Sequence, residues 1–124
     1  MKDKYKILVV DDSKETVFGL KSFFNNKYNI VTAGDGLEGL KTFEKDREGF
    51  DLIVTDLIMP EISGVALIDI IKKKFPEIPI IAITGWGYHP KALAIEAKAN
   101  LVLEKPFEIE LLDQSITKLL AKEV

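Results

Sequence analysis

The sequence contains no cysteine, one histidine and one tryptophan among its 124 residues. The absence of cysteine excludes disulfide bonds and thiolate metal sites, and it is compatible with a reducing compartment. No apolar run approaches the roughly 20 residues that cross a bilayer, and no long apolar stretch follows the start of the chain, as a signal peptide would require. We therefore expect a cytoplasmic protein with no membrane partner.

Two further absences limit the ligands of the protein. The sequence has neither a GxxxxGK phosphate loop nor a GxGxxG motif, so nucleotide binding is poorly supported. The net charge of −3 argues against a surface that binds nucleic acid electrostatically. The only histidine, His89, precedes Pro90 in a predicted loop, and we interpret it as a loop or capping residue and not as a catalytic base.

The composition is that of one soluble globular domain, with 47% hydrophobic and 30% charged residues. Five apolar runs alternate with five segments of helical periodicity. The predicted strands are residues 6–10, 28–33, 52–56, 80–84 and 101–104. This alternation predicts an α/β fold, a doubly wound, flavodoxin-like parallel sheet of five strands in the order 2-1-3-4-5 with five helices.

Three of the predicted helices carry specific expectations. The first begins after Ser13 as N-cap and carries one apolar stripe, Val17, Leu20, Phe23 and Phe24. The third ends in the lysine run 72–74, which suits the negative end of the helix dipole and which we interpret as a solvated helix end. The fourth is expected from Pro90 to about Lys98.

The third predicted strand leads into a single carboxylate, Asp56, and Pro60 lies beyond the strand because proline cannot donate to a ladder. In an open α/β sheet, ligands bind at the carboxyl ends of the strands. An acid at that position is either a reactive group or a cap on the following turn, and this stretch alone does not separate the two.

Other polar residues end the neighbouring strands. They are Asp11 and Asp12 after the first strand, Thr84 at the end of the fourth and Lys105 after the fifth. Clustered carboxylates repel unless a cation intervenes, and hard oxygen ligands suit Mg²⁺. A metal, a lysine and a hydroxyl around a further carboxylate can neutralise a transferring phosphoryl group, and the carboxylate can itself be the nucleophile.

These residues resemble the receiver domain of two-component response regulators, and the resemblance covers essentially the whole chain. It is carried by Asp11-Asp12, by Asp56-Leu57-Ile58-Met59-Pro60 with Gly64, by Thr84-Gly85 and by Lys105-Pro106-Phe107. The runs 84–87 and 104–107 look most like receivers of the nitrogen-regulator type. We accordingly expect residues 1–124 to form a single receiver domain, with no output domain in this chain.

The resemblance implies that Asp56 accepts a phosphoryl group from a phosphohistidine on a sensor histidine kinase or phosphotransfer protein. It implies that Asp12 binds Mg²⁺ directly and Asp11 through water, with Asp56 and the backbone carbonyl of Ile58 as further ligands. Thr84 would hydrogen-bond the phosphoryl group, Lys105 would pair with it, and the Lys105–Pro106 peptide would be cis. Such a domain is not an enzyme with an external substrate. It catalyses only its own phosphorylation and dephosphorylation, and it switches the binding of a downstream partner or output domain.

Three features depart from the family pattern. Val102 occupies a position where many receivers place an aromatic switch residue, so the readout at the fifth strand must be altered. The segment from Thr84 to Lys105 looks about one residue shorter than usual. Ile58 and Trp86 are bulky at positions that flank the path of hydrolytic water, which predicts a long-lived phosphorylated state. An equally weighted alternative for Trp86 is a loop aromatic used in packing or partner contact.

Two alternative functions stay open. Val102 and the shortened segment favour a protein-interaction module that no longer depends on phosphorylation. A small Mg²⁺-dependent phosphatase with Asp56 as nucleophile is disfavoured, because Ile58 occupies the obvious place for a general acid. The sequence does not identify the kinase, the output partner or the oligomeric state.

Overall fold

A computed structural model of the chain describes residues 4–46, 49–59, 62–85 and 94–121. In chain order, the elements are β1 (Lys6–Val10), α1 (Lys14–Phe24), β2 (Asn29–Ala33), α2 (Gly36–Lys45), β3 (Leu52–Asp56), α3 (Gly64–Lys74), β4 (Ile80–Thr84), α4 (helical over residues 94–96), β5 (Leu101–Glu104) and α5 (Ile109–Ala121). The strands form one sheet in the order β2-β1-β3-β4-β5, and all neighbours are parallel. The predicted fold and strand order are confirmed.

The central strand of the sheet, β3, is buried over its whole length, as is its neighbour β4. Both faces of the sheet are covered, which is why these strands are continuous apolar runs. Successive side chains of β3 enter opposite cores, since Leu52 and Val54 pack on one side and Ile53 on the other. The sheet therefore separates two hydrophobic cores.

Three helices cover one face of the sheet, and two cover the other. One core takes buried residues from α2, α3 and α4, namely Phe43, Leu67, Ile68, Ile71 and Ala94. The other takes buried residues from α1 and α5, namely Leu20, Phe24, Leu112, Ile116 and Leu120. No helix within the described ranges is long and apolar enough to cross a membrane.

Some local expectations are corrected. Phe23 is 46% exposed, because consecutive helical residues point about 100° apart and Phe24 takes the core position. Lys72 is buried and not solvated. The described part of α4 ends before Lys98, which has a left-handed φ of 76°. Hydrogen bonds from the Ala99 and Lys98 N–H groups to the Ala94 and Ile95 carbonyls form a Schellman-type end there. The predicted start of this helix, Pro90, lies outside the described residues.

Candidate functional site

Backbone hydrogen bonds hold the candidate residues at the carboxyl edge, the edge of the sheet where the parallel strands end. The Asp11 N–H donates to the Ala33 carbonyl at 3.1 Å, and the Lys105 N–H donates to the Thr84 carbonyl at 2.8 Å. Asp56 is the last residue of β3 and is paired in register with Ile83 of β4. Residues from remote parts of the chain thus lie at one edge, as the topology predicts.

The carboxylates of Asp11, Asp12 and Asp56 form an acidic cluster. Each offers an oxygen, and these oxygens lie within 4.8 Å of one another. Asp11 and Asp56 are 2% and 8% exposed, whereas Asp12 is exposed to solvent. Carboxylates at this spacing repel unless a cation lies between them. Their hard oxygens, with one solvent-facing member, are the kind of donor set that suits Mg²⁺.

Lys105 supplies one positive charge to the cluster. Its Nζ lies 3.4 Å from Asp11 Oδ2 and 3.7 Å from Asp56 Oδ2. One ammonium among three carboxylates leaves an excess of negative charge, so the lysine does not replace a divalent cation. The Lys105–Pro106 peptide bond is cis, as the resemblance implied.

The pKa of Asp56 is raised above its ordinary value of 3.8, chiefly because the carboxyl group is buried and also because Asp11 is negatively charged. The charge of Lys105 and the backbone N–H groups of Ile58 and Leu57 act in the opposite direction. The net direction shows that the ionised form of Asp56 is incompletely compensated. A bound cation would supply the missing compensation.

Hydrogen bonds orient two of the carboxylates. Asp56 Oδ1 accepts from the Ile58 N–H at 3.3 Å, and Asp11 Oδ1 accepts from the Ser13 N–H at 2.9 Å. Ser13 Oγ in turn accepts from the Thr16 N–H at 3.3 Å and caps α1, as predicted. Asp11 therefore uses one oxygen to shape the turn into α1 and has the other directed toward Lys105.

The remaining described candidates, Thr84, Ile58 and Val102, differ in their burial and in their contacts. Thr84 is buried, and its hydroxyl donates to the Gly85 carbonyl over a long 3.5 Å. The Ile58 side chain is 47% exposed directly after the acidic cluster. Val102 is partly buried, pairs with Ala82 and packs against the core that α2, α3 and α4 cover. Pro60, Trp86 and His89 lie outside the described residues.

Two residues support the main chain of Asp56 through contacts that the sequence alone does not indicate. The buried Thr55 hydroxyl donates to the Asp56 carbonyl at 2.9 Å. A Cβ built on Gly64 would lie 1.8 Å from the same carbonyl oxygen. Gly64 was part of the motif that carried the resemblance, but only the structure shows what its missing side chain is for. A threonine within an apolar strand gives no comparable signal.

Comparison with protein families matches residues 7–117 to the response regulator receiver domain. The chain belongs to this family. The receiver domain is 35% identical over 113 residues to the transcriptional regulatory protein GlrR of Escherichia coli, covering 89% of this chain and 25% of GlrR. It spans about half or less of the length of the curated relatives it matches.

Solved structures agree with the family. A response regulator receiver domain protein from Clostridium thermocellum superimposes with a TM-score of 0.88 at 30% identity, covering 96% of each chain. A chain of the CheX–CheY–BeF₃–Mg²⁺ complex of Borrelia burgdorferi superimposes with a TM-score of 0.82 at 25% identity, covering 92% of this receiver domain and 87% of that chain. The prediction of a receiver domain is confirmed.

Proposed function

We propose that this receiver domain accepts a phosphoryl group on Asp56 from a phosphohistidine of a sensor histidine kinase or phosphotransfer protein. An Asp56 carboxylate oxygen forms a bond to phosphorus while the phosphorus–nitrogen bond breaks, and the imidazole leaves with the electron pair of that bond. Hydrolysis of the resulting aspartyl phosphate returns the carboxylate and inorganic phosphate. The domain thus catalyses only its own phosphorylation and dephosphorylation.

The observation that carries this proposal is the position of Asp56. It is a buried carboxylate at the carboxyl end of the central strand, with an ammonium group 3.7 Å away and two further carboxylates beside it. A merely structural cap would not need this concentration of uncompensated acid. A nucleophile that receives a phosphoryl group with the help of a divalent cation does need it.

Each candidate residue has a role in the proposal. Asp12 would hold Mg²⁺ directly and Asp11 would hold it through water, and Asp56 and the Ile58 carbonyl would complete the protein ligands. Bound Mg²⁺ would neutralise charge on the phosphoryl group. The Thr84 hydroxyl donates to the phosphoryl group, which its long bond to Gly85 leaves it able to do. Lys105 pairs with the phosphoryl group from its place beside Asp56.

The partners in this proposal are proteins. Phe18 on α1 is 74% exposed, and α1 starts two residues after Asp12, so we assign this helix to the phosphodonor. By analogy with the family, we also assign the loop after β5 to the phosphodonor. Ile95 on α4 and Leu111 on α5 are also exposed and are available to a downstream partner or output domain. We assign no nucleic acid to this domain because of its net charge of −3, and we place the reaction in the cytoplasm.

The test uses acetyl phosphate and Mg²⁺, with intact mass as the readout. We expect wild type to gain one phosphoryl group, and we expect neither Asp56→Asn nor wild type in EDTA to gain one. Asp51→Asn, at the opposite end of β3, is the matched control and should be phosphorylated like wild type. An adduct that persists in Asp56→Asn would contradict the assignment of the acceptor.

Val102 favours a second candidate, an interaction module that does not depend on phosphorylation. A valine that pairs with Ala82 and packs against the core cannot swing a ring between buried and exposed positions. Failure of wild type to form any adduct or respond to Mg²⁺ would support this candidate. Repeated turnover of a phosphate ester would instead support a phosphatase.

A further inference from the structure

The first turn of α2 is held in place by its own side chains. Asp35 Oδ1 accepts from the Glu38 N–H at 2.8 Å, and Glu38 Oε1 accepts from the Gly34 N–H at 3.0 Å. This reciprocal pair resembles a capping box, which satisfies free N–H groups at a helix start. Gly36, the first residue of α2, is buried beside these caps. The backbone at the start of α2 therefore has a fixed position, and another segment can pack against it.

The backbone of Ile62, which precedes α3, lies against Gly36. A Cβ built on Gly36 would lie 1.8 Å from the Ile62 carbonyl oxygen and 2.7 Å from its carbonyl carbon. Both are backbone atoms, so neither can rotate away as the end of a side chain could. A Cβ built on Gly34, two residues earlier, would have no atom within 4 Å. The close approach at residue 36 thus requires the absence of a side chain.

The segment that follows Ile62 contacts the backbone of Asp56 and Leu57. The Gly64 N–H donates to the Leu57 carbonyl at 3.0 Å, and the missing side chain of Gly64 gives room to the Asp56 carbonyl. The Ile58 N–H then donates to Asp56 Oδ1. Backbone contacts therefore connect the start of α2 with the acceptor carboxylate, and no flexible side chain intervenes.

We propose that Gly36 is a positioning residue of the phosphoacceptor site. By admitting the Ile62 carbonyl, Gly36 keeps Gly64 against Asp56 and thereby holds the backbone of Leu57 and Ile58 beside the acidic cluster. This inference rests on the proposed function, in which Ile58 supplies a backbone ligand to Mg²⁺. A side chain at residue 36 would displace the Ile62 backbone, and a misplacement on the order of 1 Å is enough to impair a site of this kind.

The test compares Gly36→Ala with Gly34→Ala as the matched control. Both place one methyl group in the same turn, and alanine favours a helix start over glycine, so propensity alone would not harm α2. We expect Gly36→Ala to weaken Mg²⁺ affinity about tenfold, as changes in the groups that orient metal ligands do, and to slow phosphorylation by acetyl phosphate. Gly34→Ala should match wild type in both measurements.

If Gly36 had only a structural role, Gly36→Ala would have a lower thermal midpoint but an unchanged Mg²⁺ affinity at temperatures where the variant is folded. That result would overturn the inference. A wild-type protein that takes up neither Mg²⁺ nor phosphate would instead overturn the proposed function. The two failures are therefore distinguishable.

A second measurement covers the case in which Gly36→Ala does not fold. In wild type, the ¹⁵N–¹H signals of Ile58, Ile62 and Gly36 are followed during titration with Mg²⁺, with Gly19 on α1 as reference. We expect Gly36 and Ile62 to shift with the same midpoint as Ile58. A shift of Ile58 that leaves Gly36 and Ile62 unchanged would show that the contact does not transmit to the site.

Discussion

At the scale of the residue, the ionised form of Asp56 destabilises the folded protein. The raised pKa of Asp56 means that the folded protein binds a proton on this carboxylate more tightly than the unfolded chain does. The free energy of unfolding therefore falls as the pH rises from 3.8 through the raised pKa. Above that pH, the charge of Asp56 weakens the fold, chiefly because the carboxylate is buried and also because it faces Asp11.

Asp56→Asn removes that charge and keeps the shape of the side chain. We expect its urea midpoint at pH 7 in EDTA to be higher than that of wild type. The difference should shrink as the pH is lowered toward the ordinary pKa, where Asp56 is itself neutral. Asp51→Asn, which changes the carboxylate that accepts from the Lys6 N–H, should give no such gain. An unchanged or lower midpoint for Asp56→Asn would contradict the assigned cause of the pKa shift.

A prediction at Ile58 concerns the lifetime of the proposed phosphorylated state. The half-exposed apolar side chain of Ile58 follows Asp56 by two residues, and we expect it to hinder the approach of water to the aspartyl phosphate. We expect Ile58→Asn to shorten the lifetime of the aspartyl phosphate several-fold, measured by intact mass after removal of acetyl phosphate. Phe23→Asn is the control, since Phe23 is equally exposed but lies at the far end of α1. Equal lifetimes in wild type and Ile58→Asn would remove this explanation.

The residues of the candidate site could be predicted because each ends or follows a recognisable apolar run. Parallel strands bring such ends together whatever the loops do. The contacts of Thr55 and Gly36 could not be predicted in this way. Thr55 bonds to the carbonyl of the next residue, and Gly36 meets a backbone atom of a different loop. Neither contact has a periodicity or a spacing that a single sequence displays.

At the scale of the element, α3 shows how a charge run can mislead. Lys72 is 8% exposed, and its Nζ donates to the Ile78 carbonyl at 2.6 Å and to the Pro76 carbonyl at 3.2 Å. Burial lowers the pKa of this lysine, while the charge of Glu77 acts in the opposite direction. Lys72 thus ties the end of α3 to the segment that leads into β4.

Lys72→Met should lower the free energy of unfolding by about 1–3 kcal/mol, because two backbone carbonyls lose a buried charged donor. Lys73→Met is the matched control on the next residue. Lys73 is exposed and pairs with Asp69 on the same helix at 3.1 Å, so its loss should cost no more than about 0.5 kcal/mol. Urea unfolding of both variants measures the two changes in the free energy of unfolding. Equal changes in Lys72→Met and Lys73→Met would show that Lys72 behaves as a solvated surface residue.

The helices were predicted less exactly than the strands for a geometric reason. A strand buried on both faces needs only a continuous apolar run, so β3 and β4 were recognised over their whole length. A helix must choose which of its apolar residues faces the sheet, and α1 buries Phe24 and leaves Phe23 half exposed. The end of α4 was predicted to within two residues, although its left-handed residue, Lys98, is not the glycine that usually marks such an end.

At the scale of the whole molecule, the two cores fix the strand ends and the strand ends fix the acidic cluster. The fold therefore keeps three carboxylates close together even though they repel. A cation that binds the cluster only in the folded state must stabilise the entire domain, by about 2.7 kcal/mol at a hundredfold excess over its dissociation constant. Metal binding can accordingly be measured through global unfolding, without any phosphodonor or partner.

We expect Mg²⁺ to raise the thermal midpoint of wild type in a concentration-dependent way. Asp12→Ala should abolish this gain, because it removes one of the three carboxylates of the cluster. Asp12 is the exposed member of the cluster, so its removal leaves the buried core untouched. Lys14→Ala, two residues later and also exposed, is the control and should keep the full response. A gain of the same size in Asp12→Ala would mean that Mg²⁺ acts elsewhere on the molecule, and the metal ligands proposed for Asp56 phosphorylation would then have to be reassigned.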